Sequence, residues 1–183
     1  MKRIVLIVFG LLAVSSSAFA QTTAEIIDRA LAAAPRQSRE GATVIKWKPD
    51  FTYETLKKGT NRLVCYDRSG FPLQAPFSVQ CTSIANLERE VQNLKAEALG
   101  DRVKSEAMLN EMEKNGTRIK PEYGSLWFIL AGPDREHARP HHTTVAVPGA
   151  TTASTGLPDN PRQGGAWIMN AGTSKAHIMV PGE

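Results

Sequence analysis

The spacing of apolar residues changes several times along the chain, and each change marks an element. Ile26, Ile27, Ala30, Leu31 and Ala34 recur at helical steps, which predicts a short amphipathic helix from Thr23 to Ala34. Thr22 or Thr23 can cap it, Glu25 lies in the first turn where the helix dipole favours an anion, and Pro35 ends it. The period then shortens to that of a strand. In Thr43–Lys48, Ile45 and Trp47 share one face and Lys46 and Lys48 the other. Pro49-Asp50 is a turn, Phe51–Leu56 a second strand, and Lys58-Gly59-Thr60-Asn61 a second turn. Arg62–Tyr66 makes a third strand with Leu63 and Cys65 on one face. Residues 67–80, interrupted by Gly70, Pro72 and Pro76, read as a loop.

Helical spacing returns after Cys81. Ile84, Leu87, Val91, Leu94 and Ala98 form an apolar stripe, with Glu88, Arg89, Glu90, Lys95 and Glu97 on the opposite face. Gly100-Asp101 breaks the phase, and Val103, Ala107, Met108 and Met112 continue it to about Lys114, where Asn115-Gly116 is a stop. Two helices or one bent helix follow from this pattern. Ser125–Ala131 is continuously apolar between glycines, as in a strand covered on both sides. Thr143–Val147 is a further strand, and residues 149–165, rich in Thr, Gly and Pro, form a long loop.

A hairpin closes the chain, and within it Ala166-Trp167-Ile168-Met169 is echoed by Ala176-His177-Ile178-Met179. An even loop about Gly172-Thr173 sets Met169 opposite Ala176, Ile168 opposite His177 and Trp167 opposite Ile178. Trp167, Met169, Ala176, Ile178 and Val180 then form an apolar face, and Met169 is kept away from His177. Together these elements predict a single α+β domain over residues 21–183: an antiparallel sheet of five or six strands with the 82–114 helical segment packed on one face.

The first twenty residues carry Lys2 and Arg3, an apolar run from Ile4 to Val14 and a small-x-small site at Ala18-Phe19-Ala20. This is the pattern of a secretory signal peptide cleaved after Ala20, giving a periplasmic or extracellular protein with no later membrane span. Cleavage lowers the formal charge from +4 to +2. The remaining Lys and Arg are interspersed with acids, a distribution that argues against a nucleic-acid partner. Cys65 and Cys81 are the only cysteines, and an exported chain with one such pair predicts a disulfide.

Candidate chemistry is sparse. His177 and Met179 point the same way from one strand, and imidazole with thioether suits copper. His142, at the start of another strand, can join them as a third ligand. The polar run Asp134-Arg135-Glu136-His137-Ala138-Arg139-Pro140-His141-His142 offers imidazoles and carboxylates for zinc, as in a metal-dependent hydrolase. H-E-x-x-H is missing, however, and the interleaved cations oppose a divalent ion. Arg135, His137, Arg139 and His141 can instead receive an anionic ligand. A solvated loop and a chain without any cofactor are the plainer readings. There is no G-x-S-x-G, and Gly164-Gly165 precedes a strand where a phosphate loop precedes a helix, so no catalytic residue is assigned.

Gly59-Thr60-Asn61 before Cys65, the second Cys81, Gly164–Met169 and the terminal Ala176-His177-Ile178-Met179-Val180-Pro181 resemble a family of small exported bacterial proteins. The resemblance implies export and carries no activity, hence no catalytic residues. The expectation from the sequence is a non-catalytic module that binds a small ligand or another protein. A copper or other soft-metal protein using His177 and Met179, and a hydrolase with a His-based metal site, are the alternatives.

Overall fold

The computed structural model describes residues 21–181, with His141 and His142 described by backbone only. The signal-peptide reading of residues 1–20 lies outside the described residues.

Helix α1 (Thr23–Ala30) starts on a reciprocal cap: the Thr22 hydroxyl accepts from the Glu25 amide, and the Glu25 carboxylate accepts from the Thr22 amide at 2.7 Å. A 3-10 turn, Leu31–Ala33, continues it, and a single helical turn, α2 (Arg36–Arg39), follows Pro35. The chain then builds strands β1 (Thr43–Trp47), β2 (Tyr53–Lys57), β3 (Leu63–Asp67) and β4 (Phe77–Ser83). Helices α3 (Leu87–Glu97) and α4 (Arg102–Lys114) come next. Strands β5 (Leu126–Gly132) and β6 (Arg139–Ala146), a short helix α5 (Thr152–Thr155), and strands β7 (Trp167–Met169) and β8 (His177–Pro181) complete the chain.

All eight strands lie in one sheet, ordered β2-β1-β3-β4-β5-β6-β8-β7, so the sheet exceeds the expected five or six. Its pairings are antiparallel except for β1 beside β3, which is parallel. The unexpected strand is β4, in sequence an apparent loop end. Phe77, Val79 and Cys81 point to one face, and Ser78, Gln80 and Thr82 to the other, yet every residue of the strand is buried. The polar set faces a layer of buried hydrogen-bonding groups, so alternation here records two different interiors, with no water on either side.

One face packs α1 and its 3-10 extension over Ala42, Val44, Cys65 and Cys81. On the other face, Leu87 and Leu94 of α3 cover Ile45, Trp47, Val64 and Tyr66, with Trp47 edge-on to Tyr66 at 5.5 Å between ring centroids. Cys65 and Cys81 are directly opposed on β3 and β4 and form a disulfide. That bond is at home in an oxidising, extracytoplasmic setting. No helix among the described residues is long and apolar enough to cross a membrane.

The turn before β3 shows why Gly59 is glycine. The amides of Thr60 and Asn61 both donate to the Gly41 carbonyl, at 2.8 and 3.0 Å. A Cβ on Gly59 would sit 2.3 Å from that same oxygen. Asn61 then closes the turn, its side-chain amide donating to the Ser38 carbonyl and its Oδ1 accepting from the Leu63 amide.

The terminal hairpin departs from the even-loop expectation. Trp167 lies opposite Met179, Ile168 opposite Ile178 and Met169 opposite His177. The loop is odd, so the two copies of the echoed phrase present the same face. Trp167, Met169, His177 and Met179 point one way. Ile168 and Ile178 point the other, into a cluster with Val147 and Ala176. The cause is the turn itself. Asn170 takes a left-handed conformation at φ 54°, and the Ser174 amide and hydroxyl both donate to the Glu113 carboxylate of α4, lengthening the connection. An apolar count cannot register a polar loop pinned to a distant helix.

Candidate functional site

The helical stripe is broader than its pattern implies. Besides Leu87 and Leu94, Arg89, Glu90 and Ala96 of α3 are buried, whereas Ile84 is 43% exposed. Of the charged residues assigned to a solvated face, Glu88 and Lys95 are exposed as expected and Glu97 is partly buried, but Arg89 and Glu90 point inward, over the polar side of β4. They line a cavity of about 270 Å³, bounded by α3, by Arg118 and Pro121 after α4, by β5 and β6, and by Lys175–His177.

Glu90 lines it and is 1% exposed. Its Oε1 accepts from the Trp127 indole N–H at 2.9 Å and from the Asn93 amide at 3.0 Å; its Oε2 has no partner among the described residues. Arg68 is ion-paired with Glu97 and donates to Gln80, which in turn donates to the Tyr66 hydroxyl at 2.8 Å. Arg118 donates to Gln92 at 2.9 Å, to Asn93 and to the Arg89 carbonyl, which anchors residues 117–121 on α3. Arg89 donates through Nη1 to the Ile119 carbonyl. The Nε atoms of Arg68 and Arg118 are buried without partners among the described residues.

The electrostatics follow from this crowding. Burial, with the Arg89 guanidinium alongside, lowers Arg118 to about 10. Burial also lowers Arg89, against the opposing pull of Glu90 and Glu113. Burial raises Glu97 despite its partner Arg68, and raises the Tyr66 hydroxyl, whose ionised form would also face Glu90. At the rim, burial lowers His177 below the usual imidazole value; a hydrogen bond to the Lys175 carbonyl opposes this and Arg89 adds to it. A carbonyl only accepts, so Nδ1 carries the proton in that 2.6 Å bond and Nε2 of the neutral ring is the lone-pair nitrogen.

A larger cavity, about 370 Å³, lies between residues 35–38 and 122–126. Its charged pair, Arg62 and Glu122, is closed on itself above an apolar floor of Leu63, Leu126 and Phe128. The smaller cavity holds the richer chemistry.

The residues singled out from the sequence fall elsewhere, apart from His177. Arg135 pairs with Asp28 at 2.6 Å, His137 with Asp134 at 2.8 Å, and Arg139 donates to the carbonyls of Glu136 and Ala138. These are exposed, separately satisfied groups, and the structure does not gather them around a common point. The backbone of His142 lies opposite Pro181 while His177 lies opposite Ala146. The two positions are therefore offset along the ladder by about 13 Å, at the usual rise per residue. Met179 shares a face with His177, and Met169 joins them through the odd register. Among the described residues, no three or more His, Cys, Asp or Glu side chains come together in a way that could hold a metal.

Sequence reasoning missed Arg68, Gln80, Arg89, Glu90 and Arg118. The available signal was β4, where Ser78, Gln80 and Thr82 alternate with Phe77, Val79 and Cys81. Read as a strand beneath α3, it requires polar partners on the facing side of the helix. No family model, no curated protein and no solved structure matches the chain.

Proposed function

We propose that this is an exported, non-catalytic binding module, periplasmic or secreted, that takes a small ligand into the cavity beneath α3. One observation carries the reading. The cavity is lined by charged side chains buried past nine-tenths, and polar atoms of Arg68, Glu90 and Arg118 have no protein partner among the described residues. Burying such groups costs free energy that a purely structural core avoids; the three unpartnered atoms are themselves closed to direct contact, so a polar or charged ligand offsets part of that cost through its field and the other lining groups. The surroundings are those of recognition: fixed donors, an indole and an aliphatic floor. The disulfide and the resemblance to small exported proteins support the location.

The test is native mass spectrometry of protein purified without denaturation from an exporting host. A bound small mass is expected, and it should be lost in Thr144→Phe, which fills the cavity from β6. The same mass retained in that variant would refute the reading.

A second reading, binding of a soft metal, is favoured by the hairpin register. His177 Nε2, Met169 and Met179 share one face, with the Trp167 ring beside them, a donor set suited to monovalent copper. Titration with Cu(I) against a chromogenic chelator should give one site, weakened at least tenfold in His177→Ala and in Met169→Leu. Unchanged competition in both variants would remove it.

A further inference from the structure

We infer that the ligand of this cavity carries an acid group, a carboxylate or a phosphate, seated on the free edge of the Arg89 guanidinium. The inference rests on the small-ligand reading above and specifies the chemistry of that ligand.

The argument is a census of charges and donors. Arg68, Arg89 and Arg118 all line the cavity, with Lys175 and His177 at its mouth. Arg68 has Glu97 as its counter-ion. Among the described residues, no carboxylate lies within ion-pairing distance of Arg89 or Arg118; those found pair with Arg29, Arg62, Arg68, Arg135 and His137. Glu90, the buried acid between them, spends Oε1 on Trp127 and Asn93. Two neighbouring guanidiniums are thus buried at 7% exposure each without a carboxylate on either.

They differ in what they have left to give. Arg118 is engaged through both terminal nitrogens by Gln92, Asn93 and the Arg89 carbonyl. Arg89 is held at Nη1 alone, by the Ile119 carbonyl. Its Nε and Nη2 have no protein partner among the described residues, and neither is among the atoms sealed from contact. Those two nitrogens form the side-on edge of the guanidinium, whose parallel N–H groups match the two oxygens of a carboxylate or phosphate. Fixing Nη1 orients that edge before any ligand arrives, so little side-chain freedom remains to be lost on binding.

The remaining surroundings select for a single negative charge on an apolar body. Arg118 repels Arg89, and an anion on the free edge of Arg89 relieves that repulsion in a site where burial weakens screening. Glu90 stands close enough to discourage a second negative charge. Trp127 and Ile129 provide a flat, apolar floor for the part of the ligand that carries the acid.

The experiment uses the intact protein and three probes: benzoate, benzamide and inorganic phosphate, each titrated calorimetrically at low ionic strength. Benzoate should bind saturably, and benzamide, the same shape without the charge, at least tenfold more weakly. Phosphate binding would identify the seat as general for oxyanions; benzoate alone would restrict it to carboxylates. Arg89→Gln should weaken benzoate at least tenfold, and Lys175→Gln, a rim change that leaves α3 untouched, should weaken it severalfold. Equal binding of benzamide, or full benzoate affinity in Arg89→Gln, overturns the acid assignment while leaving the small-ligand reading standing. Failure of both benzoate and phosphate to bind overturns it as well, and the bound-mass measurement then decides the small-ligand reading separately.

Discussion

Removing the disulfide is the perturbation whose size can be worked out most directly. Cys65 and Cys81 are separated by 16 residues and are directly opposed on neighbouring strands. Linking them restricts the unfolded chain by closing a loop of that length. On the chain-entropy model this confers about 3 kcal/mol near room temperature. For a domain of about 160 residues each kcal/mol shifts the midpoint by about 2–4 °C, so reduction should lower Tm by about 6–12 °C. Both sulfurs are fully buried, in a cluster with Ala30, Ala34, Ala42 and Val44. A reductant therefore reaches them only when α1 and its 3-10 extension lift off that face, and the native protein should resist dithiothreitol until warmed or partly denatured. The assay is thermal unfolding by circular dichroism of oxidised protein and of protein reduced while unfolded and then refolded under reductant. A free-thiol titration of each sample fixes its redox state. The reduced wild type is a better comparison than Cys65→Ser with Cys81→Ser, because that exchange buries two hydroxyls among alanines and valine and adds a desolvation cost of its own. Coincident melting curves would refute the reasoning, as would rapid thiol release from the cold native protein.

Three further outcomes are expected. Gly59→Ala drives a methyl group into the backbone of Gly41–Thr43 and should cost at least about 2 kcal/mol by urea denaturation; an unchanged midpoint would contradict that geometry. Asp101→Ala removes the cap that accepts from the Val103 and Lys104 amides and should cost about 1 kcal/mol, whereas Asp101→Asn should be nearly neutral in the same titration. Because burial lowers His177 below its ordinary value of 6.5, the unfolded chain takes up this proton before the folded one. The associated stability is complete above pH 6.5 and drains away as pH falls from there to the folded pKa, so His177→Gln should flatten that part of the stability–pH curve; parallel curves for variant and wild type would count against a buried neutral imidazole.

Local chemistry was legible in the sequence wherever an element answered to its own residues. Thr22 and Glu25 cap α1, Pro35 ends the helical run, Gly59-Thr60-Asn61 turns, and Ile45 with Trp47 shares a buried face. Legibility failed where a distant partner decides. Gly70, Pro72 and Pro76 made residues 67–80 read as a loop and hid the alternation of β4, whose Thr82 is bonded by Asn86 before α3 and whose Gln80 is bonded to Tyr66 on neighbouring β3. Arg89 and Glu90 looked solvated because they are charged and lie off the apolar stripe, and only the polar underside of α3 explains their burial. The hairpin failed on parity. The apolar count favoured an even loop, while the hydrogen bonds from Ser174 to Glu113 and from Lys175 to Asn110 hold an odd one.

The cavity beneath α3 is walled by Arg68, just after β3, and by Lys175–His177 of the terminal hairpin. These segments are distant in sequence and meet only in the assembled sheet. A chain cut ahead of Lys175 can retain α3 and most of the sheet, yet its cavity stands open along one wall. Cutting the chain between β6 and Lys175 should therefore abolish any binding in this cavity while circular dichroism still reports the sheet.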